Sequence, residues 1–197
     1  MQKLILLSVL LLVGVTMAQN PPADTTTKFK QSVAVFLTTH GKIVVELYPK
    51  QAPLTVENFI KQARAGNFDG TTFHRVVKGF VIQGGDPNSK DDDPNNDGSG
   101  GGEIGVEPRK LSNVRGTISM ASSSRMQPID TQSDVQFFIN LVDNVRLDGV
   151  GFIPFGKVIS GSSIVAKIAL VKTGANDRPV KNVTITKITI VEKSKSR

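Results

Sequence analysis

Short apolar runs in which hydrophobic and polar residues alternate recur between residues 33 and 191. Such period-two runs, rich in β-branched side chains and bounded by turn residues, predict β-strands. The alternation is strictest near the end of the chain. The predicted strands are Val33–Leu37, Lys42–Leu47, a pair within Thr72–Ile82 that breaks at Lys78–Gly79, Gly116–Ala121, Val135–Leu141, Phe155–Ile159 and Val183–Val191.

Two segments instead carry apolar residues at the spacing of an amphipathic helix. The first follows Pro53, with Thr55 as the expected N-cap, and ends at Gly66. Ser162 or Ser163 is expected to cap the second helix. The apolar faces consist of Val56, Phe59, Ile60 and Ala63 in the first helix and of Ile164, Val165, Ile168 and Val171 in the second.

These elements predict a single, mainly β domain. A long polar loop over residues 84–105 separates the first strands from the rest. The first and last strands could pair, and closing a sheet removes its exposed edges. We therefore expect a closed, eight-stranded antiparallel barrel capped by two α-helices.

The first residues have the features of a secretory signal. Lys3 precedes an apolar run over Leu4–Val13, and small residues follow at Thr16-Met17-Ala18. The run is shorter than a membrane span requires, although Val13-Gly14-Val15 extends it enough to keep an uncleaved anchor as the alternative. We predict a signal peptide over 1–18, cleaved near Ala18, a flexible lead-in over 19–30, a folded domain over 31–193 and a basic tail over 194–197. Export would lead to a periplasm, the ER lumen or the medium.

Composition limits the function classes. The 197 residues are 39% hydrophobic and 21% charged, as in a soluble globular domain. The chain has no cysteine, so only the signal indicates the compartment. The net charge of +7 raises the question of nucleic acid, but the basic residues form no cluster with interleaved aromatics. We expect no nucleic-acid partner.

Two motifs suggest a cofactor or a metal, and both are weak. Gly100–Gly105 fits a dinucleotide fingerprint but follows an acidic loop instead of a strand. Asp93–Gly98 begins like an EF-hand loop, yet Ile104 occupies the twelfth position, which requires Glu. Neither histidine has zinc-site spacing. We expect no cofactor and no metal, and leave weak calcium binding near Asp93 and glycosylation at the Asn182 sequon open.

One long block, Phe73–Pro87, reads FHRVVKGFVIQGGDP and resembles the cyclophilin family. Further family-like blocks follow in the family's order, and the similarity spans about Val33 to Val191. The resemblance implies a peptidyl-prolyl cis-trans isomerase whose eight-stranded barrel carries two capping helices. The other blocks are Ala52–Phe59, Ser119–Ala121 with Gln136–Ile139, and Leu147–Gly149 with Phe155–Val158.

The resemblance also implies a set of site residues. Arg75 would be the central catalytic residue, because a fixed guanidinium can donate to the nitrogen of a twisted prolyl amide, and Gln83 would orient it. Gln136 would bind the peptide backbone, and Ala121 and Ser122 would form the strand edge along which the substrate lies. The proline pocket would be lined by Phe80, Val81, Phe138 and Leu147. Alternation along the strand should turn His74 away from the face that bears Arg75. Because the reaction transfers no proton, we expect His74 to be structural.

The chain departs from the family near this pocket. Many members have Trp where this chain has Arg146, and that Trp contributes to binding the cyclic peptide cyclosporin. We therefore expect cyclosporin binding to be weakened. Phe152, in an insertion that follows Leu147, is expected to replace the missing pocket wall.

Two function classes remain. The favoured one is a cofactor-free enzyme that accelerates X-Pro rotation in proline-containing peptides and in exported proteins as they fold, acting as a monomer. The alternative is a non-catalytic module, or chaperone, that binds Pro-containing segments in the same groove. Arg75 with Gln83 and Phe138 favours the enzyme, since a binding module does not need an arginine that stabilises the twisted amide.

Overall fold

The computed structural model describes residues 31–91 and 93–192. The predicted signal peptide over 1–18, the lead-in over 19–30 and the basic tail over 194–197 lie outside the described residues. Every predicted strand and both predicted helices are present, with bounds shifted by a few residues. The elements are β1 (Ser32–Thr38), β2 (Gly41–Leu47), α1 (Pro53–Arg64), β3 (Arg75–Val77), β4 (Val81–Gly84), β5 (Glu103–Gly105), β6 (Thr117–Met120), β7 (Thr131–Ser133), β8 (Phe137–Asn140), α2 (Arg146–Val150), β9 (Pro154–Ser160), α3 (Ser162–Ile168) and β10 (Ile185–Glu192).

Eight of these strands form one curled antiparallel sheet in the order β10-β1-β2-β9-β6-β8-β4-β3. β1 pairs with β10, as the sequence predicts. Among the described residues β3 and β10 form no ladder, so the closed barrel is not confirmed. An isolated bridge between Thr72 and Thr184 joins the chain just before these two end strands.

Phenylalanine rings fill the space between α1 and the inner face of the sheet. Phe59 of α1 lies 6.1 Å from the ring of Phe36, 5.1 Å from that of Phe155 and 5.0 Å from that of Phe68, measured between centroids. Phe137 meets Phe59 edge-on at 6.2 Å. All five side chains are fully buried. Truncating one such ring costs about 3–5 kcal/mol, so this cluster is a major source of stability.

The N-terminus of α1 is capped from outside the helix. Ala52, not Thr55, is the N-cap residue, and its side chain makes no capping hydrogen bond. The carboxylate of Glu107 accepts from the backbone N–H of Leu54 (3.1 Å) and from the N–H and hydroxyl of Thr55 (2.8 and 2.6 Å). The prediction that Thr55 caps the helix was wrong: the capping acceptor is the carboxylate of Glu107, 52 residues later in the chain than Thr55.

The predicted cap of the second helix is also wrong. Gly161 is the N-cap of α3, with φ of 84°, and Ser162 is the first helical residue. A Cβ at Gly161 would lie 2.3 Å from the carbonyl oxygen of Lys42, so only glycine fits there. Val171 lies beyond the end of α3 but packs against the core.

Among the α-helices and strands, three short ones were not predicted from the sequence: α2, and the strands β5 and β7, which pair in a small second sheet. Each has five residues or fewer, too few for a period to be visible. No helix within the described part of the chain is long and apolar enough to cross a membrane.

Candidate active site

The strand register produces two rows of side chains on opposite faces of the sheet. Arg75 pairs with Gln83, Gln83 with Phe138, and Phe138 with Ser119. Directly paired residues point to the same face, so these four share one face across β3, β4, β8 and β6. The next row points into the core and consists of Val76, Ile82, Ile139 and Ile118.

Nine of the ten predicted site residues surround one cavity of about 150 Å³. A dry apolar cavity of about that size holds a benzene ring in another protein, so a pyrrolidine ring fits in volume. The exception is Gln136, which lines a neighbouring cavity. The nine lining residues are Arg75, Phe80, Val81, Gln83, Ala121, Ser122, Phe138, Leu147 and Phe152.

An apolar cluster separate from the main core forms the cavity wall. Val81, Ala121, Phe138 and Leu147 are buried in it. Phe152 packs against this cluster and meets the ring of Phe138 edge-on, with centroids 5.3 Å apart. The insertion thus places Phe152 in the pocket, where the sequence analysis expected it.

Arg146, at the position where many family members have Trp, lies beside this cavity. Its guanidinium carbon lies 4.8 Å from the centre of the Phe80 ring, a cation–π contact. The side chain thus covers an aromatic face at the pocket rim with a cation instead of a second ring.

The guanidinium of Arg75 is contacted on two edges. Its Nη1 lies 3.5 Å from Oε1 of Gln83, and its Nε lies 3.7 Å from Oδ2 of Asp177. The Arg75 side chain is 40% exposed, so it can reach a bound peptide while its apolar stem stays covered. The contact with Gln83 is expected from the family resemblance, whereas no sequence pattern predicts the contact with Asp177.

Gln136 links Gln83 to the polar loop. Its Oε1 accepts from Nε2 of Gln83 at 3.2 Å. Its own Nε2 donates to the carbonyls of Gly98 (3.0 Å) and Gly100 (2.8 Å). Both amide donors of Gln136 are therefore used inside the protein, and direct binding of peptide backbone by this side chain stays a prediction.

Asp86 holds the same loop from beneath. Its fully buried carboxylate accepts from the backbone N–H of Asn88 (2.9 Å), Gly98 and Gly100 (3.1 Å). A Cβ at Gly100 would lie 2.2 Å from Oδ1 of Asp86, so the loop approaches as closely as it does only because glycine is there.

Ala121 and Ser122 follow β6 at the cavity edge. The N–H of Ala121 donates to the carbonyl of Gln136 (2.8 Å), and its carbonyl accepts from the N–H of Ser133 (2.7 Å). The hydroxyl of Ser122 donates to the carbonyl of Thr131 (2.6 Å). The proposed substrate edge is thus already tied to neighbouring segments, and its pairing with a peptide stays a prediction.

Asp148 anchors α2, the helix that carries Leu147. Burial alone would raise the pKa of Asp148, but hydrogen bonds from Ser112 and from the backbone and side chain of Asn113, with the charge of Arg109, bring that pKa below its usual value. The ionised carboxylate therefore fixes α2 to the preceding loop, and with it one wall of the cavity.

His74 lines a second, polar cavity beside Arg75. It is 5% exposed, and neither ring nitrogen has a hydrogen-bond partner among the described residues. Burial lowers its pKa, and Arg75 and Arg178 contribute to that lowering, while Asp86 and Asp97 oppose it. A buried neutral imidazole fits the structural role expected for His74.

Asp86, Asp177 and Arg146 shape the site, yet no local pattern marks them for these contacts. No group of three or more histidine or acidic side chains is placed to hold a metal ion within residues 31–91 and 93–192. In the segment that resembled an EF-hand, Asp93 accepts hydrogen bonds from Asn95 instead.

Known proteins are similar to this chain in fold and in sequence. At 29% identity, the chain matches the solved structure of a cyclophilin type peptidyl-prolyl cis-trans isomerase from Cryptosporidium parvum, determined in the presence of the dipeptide Ala-Pro. The TM-score is 0.72, and the match covers 82% of this chain and 99% of that one.

Curated relatives agree. Peptidyl-prolyl cis-trans isomerase A of Dickeya dadantii is 38% identical over 93% of this chain and 92% of its own length. Peptidyl-prolyl cis-trans isomerase B of Escherichia coli is 35% identical over 81% of this chain and its full length. The family model described as cyclophilin type peptidyl-prolyl cis-trans isomerase/CLD matches residues 33–190. The chain therefore belongs to the cyclophilin-type peptidyl-prolyl cis-trans isomerases, the family that catalyses rotation about the bond preceding proline.

Proposed function

We propose that this enzyme accelerates X-Pro rotation by donating a hydrogen bond from Arg75 to the prolyl nitrogen of the twisted amide. In the planar ground state the nitrogen lone pair is delocalised and accepts poorly. Rotation localises the lone pair, so the contact with Arg75 forms mainly in the transition state. The observation that carries the proposal is a guanidinium at the rim of an apolar cavity with the volume of a small ring.

Arg75 alone is not enough. An acceleration of about 10⁵ needs about 7 kcal/mol, and one charge-assisted hydrogen bond supplies about 1.5–3 kcal/mol. The remainder is assigned to the pocket around Phe138 and Leu147, which holds the proline ring while the preceding carbonyl moves. Nothing covalent forms, so no cofactor is required.

The alternative function, a module that binds proline segments without turnover, uses the same cavity. It does not explain why the Arg75 guanidinium is contacted by both Gln83 and Asp177, because ground-state binding needs no oriented donor. We therefore favour the enzyme with this mechanism over the binding module.

A protease-coupled assay on a proline-containing peptide, run beside a peptide titration, tests this mechanism. Arg75→Ala should lower kcat/KM about 30- to 1000-fold and change peptide affinity much less. Phe138→Ala should weaken both together, because Phe138 holds proline in every state. Arg115→Ala, which removes an arginine outside the cavity, is the control and should match the wild type. A well-folded Arg75→Ala enzyme with near-normal turnover would exclude the mechanism.

We further propose that the clients are exported proteins whose folding includes proline isomerisation. The N-terminal signal features support export, and the relative solved with Ala-Pro supports recognition of short proline-containing segments. The expected consequence is faster refolding of an exported protein whose slow phase is proline isomerisation.

A further inference from the structure

Asp177 lies in the loop that joins α3 to β10, and it reaches the edge of Arg75 opposite Gln83. The two contacts fall on Nε and Nη1 of one planar group, so together they limit its rotation. The third nitrogen, Nη2, donates no hydrogen bond to any described residue. A guanidinium held at two nitrogens keeps the third available for a substrate.

The loop that presents Asp177 has an uncommon backbone. Asn176 and Asp177 have φ of 57° and 59°, the left-handed region that costs non-glycine residues free energy. The loop is closed on itself, because Gly174 N–H donates to the carbonyl of Arg178 at 2.8 Å and Thr173 bridges Pro179. Such strain persists where the surrounding structure enforces it, and it clusters at functional sites.

An ion pair to the polar loop anchors this segment. Arg178 donates through Nε to Oδ2 of Asp97, and the two side chains are 22% and 7% exposed. Asp97 is followed by Gly98, whose carbonyl accepts from Gln136. Both supports of Arg75 therefore meet at Asp97–Gly98: one runs through Asp177 and Arg178, the other through Gln83 and Gln136.

We propose that Asp177 is a positioning residue that, with Gln83, fixes the plane of the Arg75 guanidinium over the prolyl nitrogen. The inference rests on the proposed catalytic role of Arg75. Both partners are about half exposed, so their ion pair adds little to stability. Its effect is on orientation, and a small rotation of a donor that acts only in the transition state lowers turnover more than binding.

A double-mutant cycle tests this role. Asp177→Asn should lower kcat about threefold to tenfold, with KM and Tm unchanged. Asp177→Glu keeps the charge and should recover part of the loss. In the Arg75→Ala background the same Asp177→Asn change should have almost no further effect, because the group it orients is gone. Asp69→Asn, at a partly exposed carboxylate that accepts from Ile188 N–H, is the matched control and should leave kcat unchanged.

The possible outcomes distinguish the mechanism proposed for Arg75 from the positioning role proposed for Asp177. Normal activity in Arg75→Ala would refute the proposed mechanism itself. A large loss in Arg75→Ala together with wild-type kcat in Asp177→Asn would refute only the role of Asp177. An Asp177→Asn loss of equal size in both backgrounds would also refute it, since the residue would then act independently of Arg75.

Discussion

At the scale of single residues, Arg146 shows how one substitution alters a shared pocket. Its guanidinium lies over Phe80, so the rim carries a positive charge where the family resemblance leads one to expect an indole. We expect a cyclic, apolar peptide such as cyclosporin to gain less from this surface than from a flat aromatic ring with a single N–H donor.

We therefore expect Arg146→Trp to strengthen inhibition by cyclosporin. Arg146→Ala removes the cation without adding a ring, and serves as the control that should not gain the same affinity. Inhibitor titration in the isomerase assay measures both. A wild-type enzyme already inhibited at near-stoichiometric drug would contradict the expectation.

His74 predicts how stability changes with pH. Burial lowers its pKa in the folded protein below the ordinary value of 6.5. As the pH falls below about 6.5, the unfolded chain binds a proton that the folded chain refuses, so stability decreases until the folded form is protonated too. Above that pH the His74 imidazole is neutral in both states, so it contributes nothing to the pH dependence of stability.

The variant His74→Phe is similar in size and never charged. Between about pH 7 and pH 5, the range in which histidine ordinarily titrates, it should lose less unfolding free energy than the wild type does. His40→Asn, in the β1–β2 turn, is the control that removes the other histidine. Urea unfolding across this pH range decides it, and identical slopes for wild type and His74→Phe would refute the prediction.

The sequence indicated residue chemistry better than residue partners. The residues around the cavity were expected from the family resemblance, and Phe152 was placed correctly despite the insertion. Asp177 and Arg146 were not linked to Arg75 and Phe80, because those contacts join segments far apart in the chain. Patterns within a short stretch of sequence do not indicate which distant residues will be in contact.

At the scale of elements, α1 depends on a residue outside it. Glu107 accepts two backbone N–H groups and one hydroxyl at the helix N-terminus, where a negative charge also meets the positive end of the helix dipole. The sequence predicted the helix itself, since four apolar residues recur at the right spacing. It could not predict a cap that the tertiary fold supplies.

Glu107→Ala should lower the unfolding free energy by about 1–2 kcal/mol, because two helix N–H groups lose their acceptor. The corresponding drop in Tm is about 2–8 °C. Glu107→Gln retains an acceptor and should lose less. Glu103→Ala, at an exposed carboxylate that accepts from the Ser123 hydroxyl, is the control. Thermal and urea unfolding measure all three, and equal stability of Glu107→Ala and wild type would exclude the capping role.

At the scale of the whole molecule, the fold class followed from the alternating runs, because long strands with one buried face leave a clear period. Closure of the sheet into a barrel could not be predicted from these runs. Whether the end strands of a curled sheet form a ladder depends on strand tilt and register, which residue patterns leave undetermined.

Processing is the remaining expectation at this scale. Lys3, the apolar run and the small residues at Thr16-Met17-Ala18 predict a mature protein that begins near Gln19 and is soluble. Expression of the full chain followed by N-terminal sequencing and intact mass of the exported product measures this. A product that retains residues 1–18 and sediments with membranes would instead support the uncleaved anchor.

The two opposed rows of side chains across β3, β4, β8 and β6 have a consequence for engineering. Val76, Ile82, Ile139 and Ile118 fill the main core, whereas Arg75, Gln83 and Phe138 lie on the opposite face and line the cavity, so these three can be varied without changing that core. A combinatorial library at Arg75, Gln83 and Phe138 would sample new groove chemistries from three codons. Deleting one residue within β4 would turn the side chains on one side of the deletion to the opposite face of the sheet, and should abolish folding and turnover together.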